Sequence, residues 1–321
     1  MRLSRRATLL GVLAAPSLSR AQSFPEKPLK LVVPYPPGGA TDLLARMLTE
    51  RMARELGQPV VIENRSGAGG AVGSEFAARA PADGYTILFG NLGPISLNPS
   101  LYANLPYDPA RDFAALARLV DVPLILTVPT ALDIHTYPQF LEWAGRNRGR
   151  VNFASVGNGS VSHLAGEMLN KATGLGLSHV PYRGGAPALL DVIAGNAQML
   201  FATSLEAKPH LEGGRLRPLA ITTTERAPFL PNVPTFHEYG LPQITMATWF
   251  GMLVPKATPA AVHARLAGVL GGIMARAEMR NAFLETWCLP IRDTPAEFDA
   301  FIASETRRFA PVVREAGVRI E

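Results

Sequence analysis

The alternation of apolar and polar positions along the chain predicts strands that are followed by amphipathic helices. Residues 29–34 form a short apolar run typical of a buried strand. After a turn rich in Pro and Gly, the residues Leu44, Leu48 and Met52 recur with helical spacing, and a second strand-like run follows at 60–63. Because this order of strand, glycine turn and helix returns along the chain, it predicts an α/β fold of mostly parallel sheets flanked by helices.

The starts of three predicted helices carry capping signals. Thr41 and Asp42 fall at the start of the first helix, where a short polar side chain accepts hydrogen bonds from unpaired backbone N–H groups. Two later helices begin in the dipeptides Thr258-Pro259 and Thr294-Pro295, which predict a threonine cap followed by a first-turn proline.

Two segments of the chain repeat each other and predict two similarly built domains. Val-Pro-Tyr at 33–35 recurs at 180–182, and Gly-Gly-Ala at 38–40 recurs at 184–186. Each copy lies between a strand-like run and a helical pattern. Apolar runs near 119–126 and 219–224 are the expected crossovers between the domains. The predicted domain 1 consists of residues 22–120 and 223–321, and the predicted domain 2 is the inserted segment 121–222.

The first 21 residues have the pattern of a cleaved export signal. Arginines near the start precede an apolar run at 7–15, and the small residues Ser19 and Ala21 stand at positions −3 and −1 of a cut after Ala21. The apolar run is about half the roughly 20 residues that a membrane span needs. The formal charge of the whole chain is +5, and four arginines of this segment account for 4 of it, which leaves 5 − 4 = +1 for the remainder. We therefore expect an exported, nearly neutral protein, by either the Sec or the twin-arginine route.

Composition and motifs exclude several classes of function. With 47% hydrophobic residues and a single cysteine, Cys288, the chain is neither intrinsically disordered nor a disulfide scaffold or cysteine-rich zinc protein. The six histidines are scattered without an H-E-x-x-H motif, and the basic residues form no stripe interleaved with aromatics. The sequence therefore predicts no bound metal and no nucleic-acid partner.

Enzyme motifs are weak or absent. The chain contains no G-x-S-x-G or S-x-x-K motif, and a serine–histidine pair at Ser160 and His163 is more typical of helix capping and packing than of catalysis. The segment 67–73 is similar to G-x-G-x-x-G, but the next strand ends in Gly90-Asn91 rather than in an acidic residue. We therefore expect a protein without catalytic residues or cofactor.

Glycine turns at helix starts favour the binding of a small anion. The N-terminus of a helix offers unpaired N–H groups and about half a positive charge, so it binds an anion without an arginine. Turns of this type stand at 38–39, 90–93, 157–159 and 184–185. In parallel sheets ligands bind beyond the carboxyl ends of the strands, so two facing domains would bring these turns together at a cleft.

Motifs spread over nearly the whole chain resemble one family, the Bug-type substrate-binding proteins of tripartite tricarboxylate transporters. The segments that carry the resemblance are 33–42, 57–70, 81–86, 98–102, 105–109, 160–167, 180–187 and 231–235. The resemblance implies a periplasmic protein with the two-domain, type II or Venus-flytrap, binding-protein fold. It also implies a small carboxylate ligand, either mono- or dicarboxylate and aromatic acids included, that is held by backbone amides between the domains.

The resemblance also implies the site residues and the partners. The ligand is expected to contact Tyr35, Pro37, Gly38, Gly39, Ala40, Thr41, Asp42, Asn91, Leu92, Ser155, Asn158, Gly159, Ser160, His163, Arg183, Gly184, Gly185, Ala186 and Thr203. Expected partners of the monomeric protein are permease subunits or, as the alternative, the ectodomain of a sensor kinase. Many relatives carry Asp-Asn where this chain has Ala202-Thr203, so the resemblance favours a ligand without an ammonium group.

Overall fold

The computed structural model describes residues 24–320, so the expected signal peptide, residues 1–21, lies outside the described residues. The strands are β1 (Leu29–Val33), β2 (Val60–Asn64), β3 (Thr86–Asn91), β4 (Phe113–Pro129), β5 (Asn152–Ser155), β6 (Ser178–Pro181), β7 (Met199–Thr203), β8 (Leu216–Ile221), β9 (Ala247–Pro255) and β10 (Leu289–Pro290). The helices are α1 (Ala40–Leu56), α2 (Ala71–Ala78), α3 (Asn98–Leu101), α4 (Pro109–Asp112), α5 (Tyr137–Arg146), α6 (Val161–Thr173), α7 (Gly185–Ile193), α8 (Ser204–Glu212), α9 (Ala260–Ala275), α10 (Ala277–Glu285) and α11 (Pro295–Glu315).

The strands form a mixed sheet that extends through two lobes. Its order is β2-β1-β3-β9-β4-β7-β5-β6, with β8 and β10 paired to β4. The outer strands of each lobe are parallel, as expected, whereas β9 and β4 are antiparallel. Their direction follows from the chain path, because β4 leads from the first lobe to the second and β9 leads back.

Strand β4 changes partners where it passes between the lobes. It pairs with β9 up to Pro123 and with β7 and β8 from Leu124 onward. The hydroxyl of Thr222 joins three segments at this point: it accepts from the Leu124 N–H at 2.9 Å and donates to the Met246 carbonyl at 2.6 Å. The passage between the lobes is therefore held by hydrogen bonds at one buried threonine.

Buried apolar side chains fill both lobes, and one cluster continues from Leu88 of β3 in the first lobe to Phe153 of β5 in the second. In the first lobe, Leu48 and Met52 of α1 pack with Leu266 and Leu270 of α9 against the sheet. The second lobe buries side chains from β5, β7, α6 and α7.

The segment that leads from β8 to β9 packs on the second lobe. The ring of Phe236 lies 5.5 Å from the ring of Phe201 and 5.4 Å from that of Tyr137. These contacts attach part of the expected domain 1 to strands of the expected domain 2. The division into 22–120 with 223–321 and 121–222 stays a prediction.

Candidate ligand-binding site

A cleft of about 800 Å³ lies between the lobes. The segments that face it lie at or just after the ends of parallel strands, and they are 35–41, Asn91 with Gly93, 156–162 and 183–187. Apolar side chains supply much of the remaining wall: Leu43, Leu97, Leu101, Leu124, Leu189, Phe201, Leu205, Phe250 and Ile320. The cleft thus combines backbone-rich turns with a largely apolar wall, as small-molecule sites do.

Helix α1 begins at this cleft without a side-chain cap. Its N-cap residue is Gly39, in an extended conformation with φ −79° and ψ 173°, and glycine has no side chain that can accept a hydrogen bond. The expectation that Thr41 or Asp42 caps this helix is wrong, because both lie inside its first turn. The first N–H groups of α1 therefore face the cleft, where the helix end carries partial positive charge.

The carboxylate of Asp42 holds the turn before α1 from behind. It accepts from the Gly38 N–H at 3.0 Å, from Arg46 Nε at 2.8 Å and from Asn64 Nδ2 at 3.0 Å. Burial alone raises the pKa of Asp42, but these hydrogen bonds hold it below its ordinary value. Because Arg46 already neutralises this carboxylate, it shapes the turn without repelling an anion at the helix start.

Asn91 fixes the second turn of the first lobe. Its side-chain oxygen accepts from the Tyr35 hydroxyl at 3.2 Å and from the Gly93 N–H at 3.1 Å. Burial raises the pKa of Tyr35 to about 12. The Tyr35 hydroxyl therefore stays a neutral donor at any physiological pH.

In the second lobe, hydroxyl groups order the turn before α6. Ser160 caps this helix by accepting from the His163 N–H at 3.3 Å, and Ser162 Oγ accepts from the Val156 N–H at 3.0 Å. Gly157 and Gly159 adopt φ values of +134° and +73°, which favour glycine over other residues.

Two stacked histidines support the same turn. The rings of His163 and His179 lie 3.7 Å apart, and His163 Nδ1 accepts from the Gly159 N–H at 3.1 Å. His179 Nε2 lies 2.6 Å from the Ser155 hydroxyl. Burial and the adjacent His163 lower the pKa of His179 to about 4, so both rings pack against each other without two positive charges.

Helices α7 and α8 complete the wall of the second lobe. The N-cap residue of α7 is Gly184, with φ +116° and no side-chain cap, whereas Thr203 caps α8 by accepting from the Glu206 N–H at 3.3 Å. Glu206 itself lines the cleft.

Most of the expected site residues line the cleft. Those that do are Tyr35, Pro37, Gly38, Gly39, Ala40, Thr41, Asn91, Asn158, Gly159, Ser160, Arg183, Gly184, Gly185, Ala186 and Thr203. The other four, Asp42, Leu92, Ser155 and His163, are buried and are not among the residues that line it. Sequence reasoning missed Glu206 and the apolar wall, because Glu206 has the spacing of an ordinary capping residue and the leucines that of helix faces.

Within residues 24–320 no group of three or more His, Cys, Asp or Glu side chains is placed to hold a metal ion. In the same range, no helix has the length and apolar character needed to cross a membrane.

Comparison with known proteins identifies the family. The family model described as "Tripartite tricarboxylate transporter family receptor" matches residues 44–318 of this chain. This chain belongs to that family. The relative BugT of Bordetella pertussis is 33% identical over 332 residues, which cover 100% of both chains.

Solved relatives of the receptor family share the fold. The R. palustris protein Rpa4515, solved with adipate, is 32% identical with a TM-score of 0.86 over 92% of this chain and 99% of its own. MatC of Rhodopseudomonas palustris, solved with bound malate, is 31% identical with a TM-score of 0.81 over 90% of this chain and 100% of its own. The chain therefore has the two-domain periplasmic binding-protein fold expected from the sequence, and the family consists of solute-binding proteins rather than enzymes.

Proposed function

We propose that this receptor captures a small mono- or dicarboxylate, aromatic acids included, between its lobes and delivers it to the permease of a tripartite tricarboxylate-type transporter. The observation that carries the proposal is the glycine N-cap of α1 at the cleft. An uncapped helix start offers N–H groups and partial positive charge to a carboxylate. Relatives with adipate and malate are consistent with this ligand class.

The expected site residues are proposed to form the ligand site in two groups. Residues that line the cleft would contact the ligand directly, and the four buried ones, Asp42, Leu92, Ser155 and His163, would hold the turns in place. A ligand that touches both lobes stabilises the closed arrangement, because it gains contacts there that the open one lacks. The change of partners along β4 near Thr222 is the place where we expect the rotation.

Export and partners belong to the same proposal. Residues 1–21 would act as the signal peptide, and the mature chain would work in the periplasm as a monomer without a cofactor. A small permease subunit is the proposed partner.

To remove any bound ligand, the mature protein is first denatured and refolded. Its thermal unfolding is then measured in the presence of small carboxylates, amino acids, aromatic acids and nucleotides. A ligand present at 100 times its Kd stabilises the folded state by about 2.7 kcal/mol. A shift confined to carboxylates supports the proposal, and a shift with nucleotides alone contradicts it.

The partner is tested by capture of the purified protein on two baits, the small permease subunit and the ectodomain of a sensor kinase. Binding to the permease subunit that increases with bound ligand is expected. Binding only to the kinase ectodomain would replace transport by sensing.

A further inference from the structure

Glu206 places a carboxyl group in the wall of the cleft without a basic partner. Its Oε2 accepts from the Thr203 hydroxyl at 2.7 Å, and within residues 24–320 it forms no ion pair. Lys208, on the same helix, pairs with Glu212 instead. Arg183 lines the same cleft without an ion pair to Glu206. A carboxylate that is withdrawn from water without a counter-charge favours any ligand group that supplies one.

A second threonine–glutamate pair in the chain shows that Glu206 is not an ordinary capping residue. At the start of α11, Glu297 stands three residues after the N-cap Thr294, as Glu206 does after Thr203. Glu297 accepts from the Thr294 backbone N–H at 2.8 Å and completes a capping box, which helps to hold its pKa below the ordinary value. Glu206 forms no such bond to the Thr203 backbone, and burial raises its pKa. The carboxyl group of Glu206 thus keeps a contact with the Thr203 side chain but, unlike that of Glu297, makes none with the backbone of its own N-cap residue, and it belongs to a residue that lines the cleft.

The carboxyl group of Glu206 lies against the start of the neighbouring helix α7. A Cβ atom at Gly185, the first residue of that helix, would lie 2.4 Å from Glu206 Oε1. The N-cap Gly184 provides no side chain there. The protein's own carboxyl group therefore lies beside the start of α7, where its acidity opposes the partial positive charge that would otherwise favour an external anion.

The two lobes consequently differ in what they offer to a ligand. At the start of α1 the acidic side chain of Asp42 is paired with Arg46. Beside the start of α7 lies an acidic group, that of Glu206, whose partner is the neutral Thr203 hydroxyl rather than a basic side chain. A dianionic ligand that reaches from α1 to α7 would meet repulsion at its second end.

We propose that Glu206 is a specificity-determining residue that selects carboxylates with a hydrogen-bond donor, best an ammonium group, at the end that faces α7. This inference rests on the proposed binding of a carboxylate at α1. It replaces the expectation, drawn from Ala202-Thr203, of a ligand without an ammonium group, because Glu206 supplies an acidic acceptor from the next helical turn.

The test uses pairs of probes that share the same number of methylene groups and one carboxylate, and that carry either a second carboxylate or an ammonium group at the other end. Glutarate is compared with 4-aminobutanoate, and adipate with 5-aminopentanoate, by calorimetric titration of the ligand-free mature protein. The wild type is compared with Glu206→Gln, which keeps the size and the acceptor for Thr203, and with Glu297→Gln as the matched control at the other capping position. Thermal unfolding checks that all three proteins fold.

We expect the amino acid of each pair to bind at least about tenfold more tightly than the diacid in the wild type, since the ammonium group gains a charge-assisted hydrogen bond where the second carboxylate is repelled. Glu206→Gln should remove this preference and Glu297→Gln should retain it. A purely structural role for Glu206 would weaken both probes alike and leave their ratio unchanged, which would overturn the inference. Tighter binding of the diacids to the wild type would overturn it as well while leaving the proposed function intact. If no carboxylate binds to any of the three proteins, the proposed function fails and the inference fails with it.

Discussion

Replacing Gly39 by aspartate should strengthen the fold and weaken ligand binding at the same time. The backbone of Gly39 is extended, as N-cap residues are, and a Cβ added there would contact only the Pro36 carbonyl oxygen, at 3.9 Å. An aspartate therefore fits, and its carboxylate accepts from the first N–H groups of α1. Capping and helix-end charge together should raise the free energy of unfolding by about 0.5–1 kcal/mol.

The same carboxylate occupies the proposed place of the ligand's carboxylate. Each charge-assisted hydrogen bond that the ligand loses is worth about 1.5–3 kcal/mol, so the loss of one or two costs about 3 kcal/mol, or about a hundredfold in Kd. Urea unfolding measures the gain in stability, and calorimetric titration with a carboxylate that the wild type binds measures the loss of affinity.

Two variants at the same position separate charge from shape. Gly39→Asn fills the helix start without a charge and should weaken binding by less than Gly39→Asp. Gly39→Ala leaves the N–H groups open and should bind almost as the wild type does. If Gly39→Asp is folded and capped yet binds the carboxylate as tightly as the wild type, the ligand does not bind at α1 and the reasoning is refuted.

Three further predictions concern stability and reactivity. Gly166→Ala should lower the free energy of unfolding by about 1–3 kcal/mol, because its Cβ would lie 2.2 Å from the Phe153 ring. The control is Gly268→Ala at an exposed position of α9, where the added Cβ has no atom within 4 Å and should not lower the free energy of unfolding. Equal effects of the two substitutions in urea unfolding would contradict this packing. His179 contributes its full stabilisation above pH 6.5 and loses it as the pH falls towards 4, because the unfolded chain takes up the proton first. His179→Gln should therefore flatten the fall in the free energy of unfolding over that pH range. An unchanged slope would show that His179 does not cause the fall. Cys288 is buried with its pKa raised to about 11, so a thiol reagent at pH 8 should label it only after unfolding, and rapid stoichiometric labelling of the native protein would be inconsistent with its burial.

Hydrophobic periodicity was sufficient for elements such as α1, and the turn-forming residues were sufficient for the glycine turns at the cleft. The helical spacing of Leu44, Leu48 and Met52 corresponds to α1, whose side chains at these positions are buried. Thr294 is confirmed as a cap, and it forms a capping box with Glu297. Such features depend on neighbours within a few residues, which the sequence shows directly.

Features that depend on distant contacts were beyond the sequence. Asp42 has the position of a capping residue, but Arg46 and Asn64 draw its carboxylate behind the turn. At α9 the expected cap by Thr258 is wrong, since Pro259 is the N-cap residue there. The Thr203–Glu206 spacing likewise indicates a capping box, and only the structure shows that this carboxyl group lies against Gly185 and that Glu206 lines the cleft.

Calorimetric titration of the ligand-free mature protein with matched acids and primary amides tests the central claim most directly. Dicarboxylic, aromatic and amino acids are each paired with the amide that lacks the carboxylate but keeps the carbon skeleton. The account predicts that at least one acid binds and that its amide does not bind at the same concentrations, because the start of α1 offers N–H donors and positive charge to an anion. Binding of the amide with equal affinity, or the absence of binding by every acid, would contradict it.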